Sequence, residues 1–269
     1  ALVLWALGWS MILMGVLVHV RTRVLLPVAI CVIAGHNLLD GIRPDQLGAL
    51  AGLWRVLHVA GFAIPGVLFV GYPLVPWVAV MVLGFALAPI FSWDADRRRR
   101  TLLWCGGAAF VLFVAARWLN GYGDPGPWTV QRTPILTVAS FLNVRKYPPS
   151  LDFLLMTLGP ALMALALAER TRLRGLAGWL ATYGRVPLFF YVTHIFVAHA
   201  VAVILAFVQG GAPRRIQVVT NPGSIPDWYG VPLPGVYLLW AAVVLILFYP
   251  CSWLGRLKRT RDHWWLRYV

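Results

Sequence analysis

Charge is scarce in this chain, and acid is scarcer still. Of 269 residues, 12% are charged, and 9 Asp+Glu stand against 23 Lys+Arg. A soluble domain carries about 25% charged residues, so the shortage excludes an ordinary water-soluble globule. Cysteine is nearly absent too. Cys31, Cys105 and Cys251 lie far apart inside apolar runs, which excludes a disulfide framework and offers no metal-ligand spacing. The chain has no phosphate-binding glycine loop, no nucleophile elbow and no paired-histidine zinc motif. It has no 20–50-residue repeat and no low-complexity linker.

What the chain has instead is hydrocarbon. With 60% hydrophobic residues and a mean hydropathy of +0.76, disorder and a charged coiled coil are excluded. The fold class is therefore all-α, a polytopic transmembrane helix bundle. A crossing helix needs about 20 mostly apolar residues. Seven segments meet or approach this: 1–19, 24–42, 73–92, 101–119, 150–168, 186–208 and 233–253. Together they form one transmembrane domain over 1–253, followed by a basic tail over 254–269. Segment 56–71 is uncharged but short and carries Pro65.

Charge bias decides whether 56–71 crosses. If it does not, 15 of the 23 Lys+Arg fall on one side and 8 on the other. Among the 15 are Arg21, Arg23, Arg97 to Arg100, Arg170, Arg172, Arg174 and Arg185. If it crosses, the ratio inverts. The positive-inside rule selects the first arrangement, with residue 1 outside, the C-terminus cytoplasmic, and 56–71 re-entrant or interfacial on the outer side. The net charge of +14 then divides into +11 inside (15 − 4) and +3 outside (8 − 5). The excess becomes a topology signal, and nucleic acid drops out as a partner. Tryptophan fits the same frame as interfacial anchors. Trp5, Trp9, Trp77, Trp118, Trp128 and Trp228 fall near the outer boundary, and Trp93, Trp104, Trp179, Trp253, Trp264 and Trp265 near the inner one. The sequence opens inside an apolar run, without Met or a signal-peptide layout, as expected of a chain cut before its first helices.

Ionisable groups inside spans are costly and default to functional candidates. Three clusters stand out. His36 and Asp40 share a helix face at i, i+4, with Asn37 between them; a carboxylate there would orient an imidazole base. The competing reading is an interfacial Asp40 and a structural hydrogen bond from His36. The second cluster is Lys146, Tyr147, Ser150 and Asp152. Ser150 is an N-cap with Asp152 in the first helical turn, and the positive helix end with Lys146 would hold an anion or oxyanion. Plain capping is the competing reading. The third is Arg185, Tyr191 and His194, with Tyr191 and His194 sharing a face at i, i+3; an interhelical hydrogen bond is the plain alternative for His194. His58, with few polar neighbours in sequence, is assigned to structure. Asp124 and Asn143 lie in the long outer loop, where a soluble substrate would arrive.

Three stretches then combine. They are Tyr72-Pro-Leu-Val-Pro-Trp77, Lys146-Tyr-Pro-Pro-Ser-Leu-Asp-Phe-Leu-Leu-Met-Thr-Leu-Gly-Pro160, and Gly184-Arg-Val-Pro-Leu-Phe-Phe-Tyr191 with His194. In this order they resemble the bacterial members of the heparan-α-glucosaminide N-acetyltransferase catalytic-domain family, over essentially the whole chain from Leu2 to about Trp253. The resemblance implies transfer of acetyl from cytosolic acetyl-CoA across the bilayer to an amino sugar or glycan, in a bacterial inner membrane. It also implies an earlier Asp-x-x-Arg-Gly stretch and about three further helices, including the family's proposed catalytic histidine. Nothing in this sequence matches that region, so no residue here inherits that role. On the residues themselves, His36 with Asp40 is the catalytic expectation, and Asn37, Lys146, Tyr147, Ser150 and Asp152 face the acceptor. Arg185, Tyr191 and His194 face the donor, with Arg97 to Arg100 a further contact for its phosphates. A transporter or flippase using intramembrane His and Asp is the alternative, and a structural subunit is the third reading.

The topology carries its own test. In a cysteine-free background, a cysteine at Arg98 is expected to be shielded from an impermeant thiol reagent in intact cells. One in the 120–149 loop should be labelled; the reverse pattern would invert the assignment.

Overall fold

The computed structural model describes residues 2–169, 175–210 and 229–267. Trp228, Arg170, Arg172 and Arg174 lie outside the described residues, as does the side chain of Trp265. The regular structure of the described residues is helical except for one small hairpin, with non-helical loops at 120–133 and 143–150. Among the described residues, six helices are long and apolar enough to cross a membrane: Thr22–Leu39, Leu74–Ser92, Ala95–Leu119, Leu151–Ala168, Pro187–Val208 and Leu233–Thr260. An all-α polytopic membrane protein is what the molecule is. The first expected span is shorter than the others. Helix α1, Val3–Leu17, has 15 residues and is about 22 Å long at 1.5 Å per residue, against about 30 Å of hydrocarbon.

Segment 56–71 does not cross. It holds the end of α3 (Ala51–Leu57) and an antiparallel hairpin, β1 (Gly61–Ile64) with β2 (Leu68–Val70). Strands of four and three residues reach only about 13 Å, and an open two-stranded edge leaves backbone groups that hydrocarbon cannot satisfy.

The chain divides into two compact units, Ala1–Arg170 and Thr171–Val269, where the sequence suggested one bundle. In the first, α1 and α2 (Thr22–Gly35) pack on α4 (Leu74–Leu87), and α5 (Ala95–Leu119) packs along α7 (Leu151–Ala168). The core is built from Leu25, Ala29, Val82 and Ala86, and from Ile33, Ala79 and Leu154. Between α5 and α7 lies the short helix α6, Pro134–Leu142, whose N-cap Thr133 accepts from Leu136 N. In the second unit, α8 (Gly175–Gly184), α9 (Pro187–Val208) and α10 (Leu233–Thr260) share a core of Val186, Cys251, Leu254 and Leu266. Helix α10 continues to Thr260, so the basic tail begins later than residue 254. Lys258 and Arg259 sit in its last turn, where good helix formers of positive charge meet the negative end of the helix.

Glycine lets α5 and α7 touch backbone to backbone. A Cβ on Gly106 would lie 2.7 Å from the Gly159 carbonyl oxygen, and one on Gly159 would lie 3.0 Å from both the Gly106 oxygen and Phe110 N. Close approach of small residues is how helices associate where lipid removes the hydrophobic driving force. Gly159→Val is expected to destabilise the first unit by roughly 1–3 kcal/mol or more, as overpacking against backbone does. Gly107→Ala, with open space around its Cβ, should be close to neutral. Thermal unfolding in detergent compares the two.

Candidate functional site

The polar residues of the first unit gather around the N-terminus of α7. Ser150 caps that helix as its sequence position suggests: its Oγ accepts from Phe153 N at 3.1 Å. The same hydroxyl donates to Asp124 Oδ2 at 2.6 Å. Leu151 N donates to Asn37 Oδ1 at 2.8 Å, and Asp152 N donates to the Gly123 carbonyl at 3.0 Å. The first three amides of α7 are thus all consumed inside the protein. The helix end does not serve as the oxyanion or substrate anchor expected of it, because no donor is left to offer.

Asn37 joins this helix end to a second group of residues. Its Nδ2 donates to Asp40 Oδ2 at 2.8 Å. Asp40 Oδ1 accepts from His58 Nε2 at 2.9 Å. The expected His36–Asp40 pairing is absent, and the local winding explains why. Helix α2 ends at Gly35 and His36–Leu39 winds as a 3-10 turn. With three residues per turn, i and i+3 eclipse, so Asp40 lies over Asn37 and has turned away from His36. His36 is buried between two carbonyl oxygens, Nδ1 at 2.9 Å from Ile33 O and Nε2 at 2.8 Å from Pro149 O. Each of its nitrogens faces a backbone carbonyl at hydrogen-bond distance, so neither is open to a substrate proton. His36 is therefore a cross-brace between α2 and the 146–150 segment, and its assignment as a base is corrected.

His58 has the opposite character. It is fully buried, and among the described residues its Nδ1 has no hydrogen-bond partner. Burial raises the Asp40 pKa, but hydrogen bonds from His58 and Asn37 and the charges of His58 and His36 outweigh it and hold the carboxyl below its ordinary value. An ionised Asp40 only accepts, so His58 Nε2 donates to it, and the neutral ring would then present its lone pair at Nδ1. The rings of Trp54 and His36 lie 5.0 and 6.0 Å from that of His58. No sequence spacing marks this pair, since 18 residues, a 3-10 turn and α3 separate its members. Tyr122, whose hydroxyl donates to Ala34 O at 2.5 Å, completes this side. Its phenol is raised by burial and then by the Asp40 charge.

Arg117 organises the other side. It is 2% exposed, and its guanidinium donates to four carbonyls: Phe141 (2.9 Å), Gly126 (2.8 Å), Ser140 (3.2 Å) and Asn143 (2.9 Å). Three of these belong to the C-terminal end of α6, the negative end of that helix. Nη1 also lies 3.8 Å from Asp124 and 3.9 Å from Asp152. Asp124, expected to meet a soluble substrate, is instead enclosed, accepting from Gly126 N, Arg145 N and Ser150 Oγ. Asn143 likewise supplies its carbonyl to Arg117. Asp152 is 1% exposed, and its Oδ1 has no hydrogen-bond partner among the described residues. It sits over Gly123, where φ is +108° and any Cβ would collide with the carboxylate. Arg117 is the residue that sequence reasoning misses here, although an arginine ending an apolar run next to Asn-Gly-Tyr-Gly-Asp is a readable signal.

Lys146 and Tyr147 lie beside this cluster, not in it. Lys146 Nζ sits 5.3 Å over the Tyr147 ring, and Tyr147 and Tyr72 share a hydrogen bond of 3.1 Å. The bond with Tyr72 and then the Lys146 contact, against some burial, lower the Tyr147 phenol from its ordinary value. Beneath the cluster, an apolar hollow of about 630 Å³ runs between α2, α4, α5 and α7, reaching Ile33, Ala34 and Leu151. Arg98 is occupied by Glu169 (2.5 Å) and by the Phe91 and Trp93 carbonyls, while Arg97 stacks over Trp93.

Arg185, Tyr191 and His194 belong to the second unit. Arg185 lies in the turn between α8 and α9, where its carbonyl accepts from Lys258. His194 is 5.5 Å from Tyr191 and stacked on Phe190, with Nδ1 3.2 Å from Phe190 O. That bond within α9 stands where an interhelical one was the alternative.

No family model, curated protein or solved structure matches the chain.

Removing the Arg117 charge would strand two enclosed carboxylates and four carbonyls. Arg117→Gln is expected to cost about 3–5 kcal/mol, the range for breaking a buried pair from one side. Arg117→Gln combined with Asp152→Asn should recover part of that loss in thermal unfolding.

Proposed function

We propose that this protein is a membrane-embedded acyltransferase, carrying acetyl from cytosolic acetyl-CoA to an amino sugar or glycan at the opposite face, with His58 as the general base. One observation carries the reading: a half-buried carboxylate orients the fully buried His58 through Nε2 and, among the described residues, leaves Nδ1 unpartnered. That is the arrangement a base needs to take a proton from an attacking amine or hydroxyl. Asp40 is the positioning residue, holding the tautomer and stabilising the imidazolium that forms. Asn37 fixes Asp40 through its amide and ties it to α7. Because His58 is enclosed, turnover requires the Trp54 side to open and admit the acceptor.

The motif resemblance supports the donor, and the apolar hollow under the cluster suits the acyl end of a thioester. CoA phosphates would be held by cations at the arginine-rich side; Arg185, Tyr191 and His194 are donor contacts on the sequence reading alone. Arg98 is withdrawn from that set, since Glu169 and two carbonyls occupy it. The bilayer is the one partner that the six apolar helices themselves indicate; a cytoplasmic C-terminus is the orientation that charge bias supports, and a bacterial inner membrane is what the motif resemblance implies.

The test uses protein reconstituted in sealed vesicles, with labelled acetyl-CoA outside and a panel of amino sugars and glycans inside. Acetylated product is expected, falling about 10²–10⁴-fold in His58→Gln, the usual worth of general acid–base catalysis. His36→Gln should be much less affected in rate per folded molecule. Uptake of unmodified substrate without acetyl transfer would favour a transporter, and an unimpaired His58→Gln would remove His58 from the mechanism.

A further inference from the structure

Two of the motifs meet at a place that acyl transfer does not use. Tyr72, which opens Tyr72-Pro-Leu-Val-Pro-Trp77, packs edge-on against Tyr147 at 5.1 Å and against Trp77 at 5.5 Å. Lys146 joins them over the Tyr147 ring. Below this cap, a groove of about 410 Å³ runs between α1 and α4, floored by side chains such as Val3, Leu7, Val80 and Met81. Lys146 is the one charged residue among those lining it. Trp77 also lines it, and its indole N–H is buried without a hydrogen-bond partner among the described residues.

The groove is thus apolar along its length and cationic and hydrogen-bonding at one end. The Val3–Ser10 stretch of α1 gives it a length of about 10 Å at 1.5 Å per residue. Aromatic rings at that end match the depth of an interface belt, where one side of the ring is apolar and the other wet. Its occupant has to be an amphiphile with an anionic head and a hydrocarbon tail. We propose that the α1–α4 groove binds one anionic phospholipid from the leaflet on the Lys146 side. Its phosphate lies against Lys146 and the Tyr72–Tyr147 hydroxyls, and one acyl chain lies along Leu7 and Met81. This site is independent of acyl transfer, and its test does not read activity.

The purified protein is incubated with equimolar phosphatidylglycerol and phosphatidylcholine, and retained lipid is read by native mass spectrometry. Wild type is expected to retain phosphatidylglycerol about fivefold over phosphatidylcholine, the worth of one basic side chain near an anionic lipid. Lys146→Glu should erase the preference and Lys146→Arg should keep it. Arg132→Glu makes the same change in net charge at an exposed position in the 120–149 loop and should leave the preference intact. A phosphatidylglycerol with a photoreactive acyl chain should crosslink to α1 and α4. Lys146 is exposed, and each variant is compared at wild-type thermal stability. Equal retention of the two lipids by wild type, a preference that survives Lys146→Glu, or crosslinks confined to other helices would overturn the proposal.

Discussion

The first unit depends on satisfying backbone donors and acceptors where two helices begin and end inside apolar surroundings. An unpaired amide or carbonyl costs several kcal/mol in hydrocarbon, where no water replaces the missing bond. Helix α7 starts with three amides that need acceptors, and α6 ends with carbonyls that need donors. Asn37, Gly123 and Ser150 supply the first need, and Arg117 supplies the second. Asp124 binds the two solutions together through Ser150 and the 123–126 turn. The cluster at this end of the unit is therefore first a piece of backbone accounting, and only what remains after that accounting is free for chemistry.

That distinction reorders the candidates. His36 and Ser150 stand out in the sequence and Asp124 lies in its long outer loop, and each is fully engaged in bracing. His58 is engaged through one nitrogen only. Asp40 serves both networks, since Asn37 holds one oxygen and His58 the other. A change at Asn37 would thus be felt at the cap of α7 and at the orientation of His58 together. The Lys146–Tyr147 pair leaves the cluster for a separate groove, which accounts for the conspicuous Tyr72 and Trp77 without asking them to take part in a reaction.

Much of the architecture was legible in the sequence because hydrocarbon imposes simple rules. The six long helices follow the apolar runs, Ser150 caps α7 where Pro149 ends the preceding segment, and 56–71 stays out of the crossing set as charge bias required. The hairpin at 61–70 was not legible, since an uncharged run of that length reads equally as a short helix or a strand pair. The site was half legible. Positions 36, 37, 40, 150 and 152 do meet, but which atoms pair was hidden by one local event, the tightening of α2 into a 3-10 turn at His36. That turn rotates Asp40 away from the residue that helical spacing assigns to it and toward His58, a contact that only tertiary structure creates. The division into two compact units was hidden as well, because apolar periodicity does not report which helices pack together.

The central claim is that His58, oriented by Asp40, carries an unprotonated Nδ1. Nitrogen-15 spectra of the histidine ring, assigned with His58→Gln, test it most directly at neutral pH. The account predicts a protonated Nε2 and an unprotonated Nδ1 for His58, with the Nε2 resonance shifting in Asp40→Asn. A protonated Nδ1 with a bare Nε2, or a spectrum indifferent to Asp40→Asn, would contradict it.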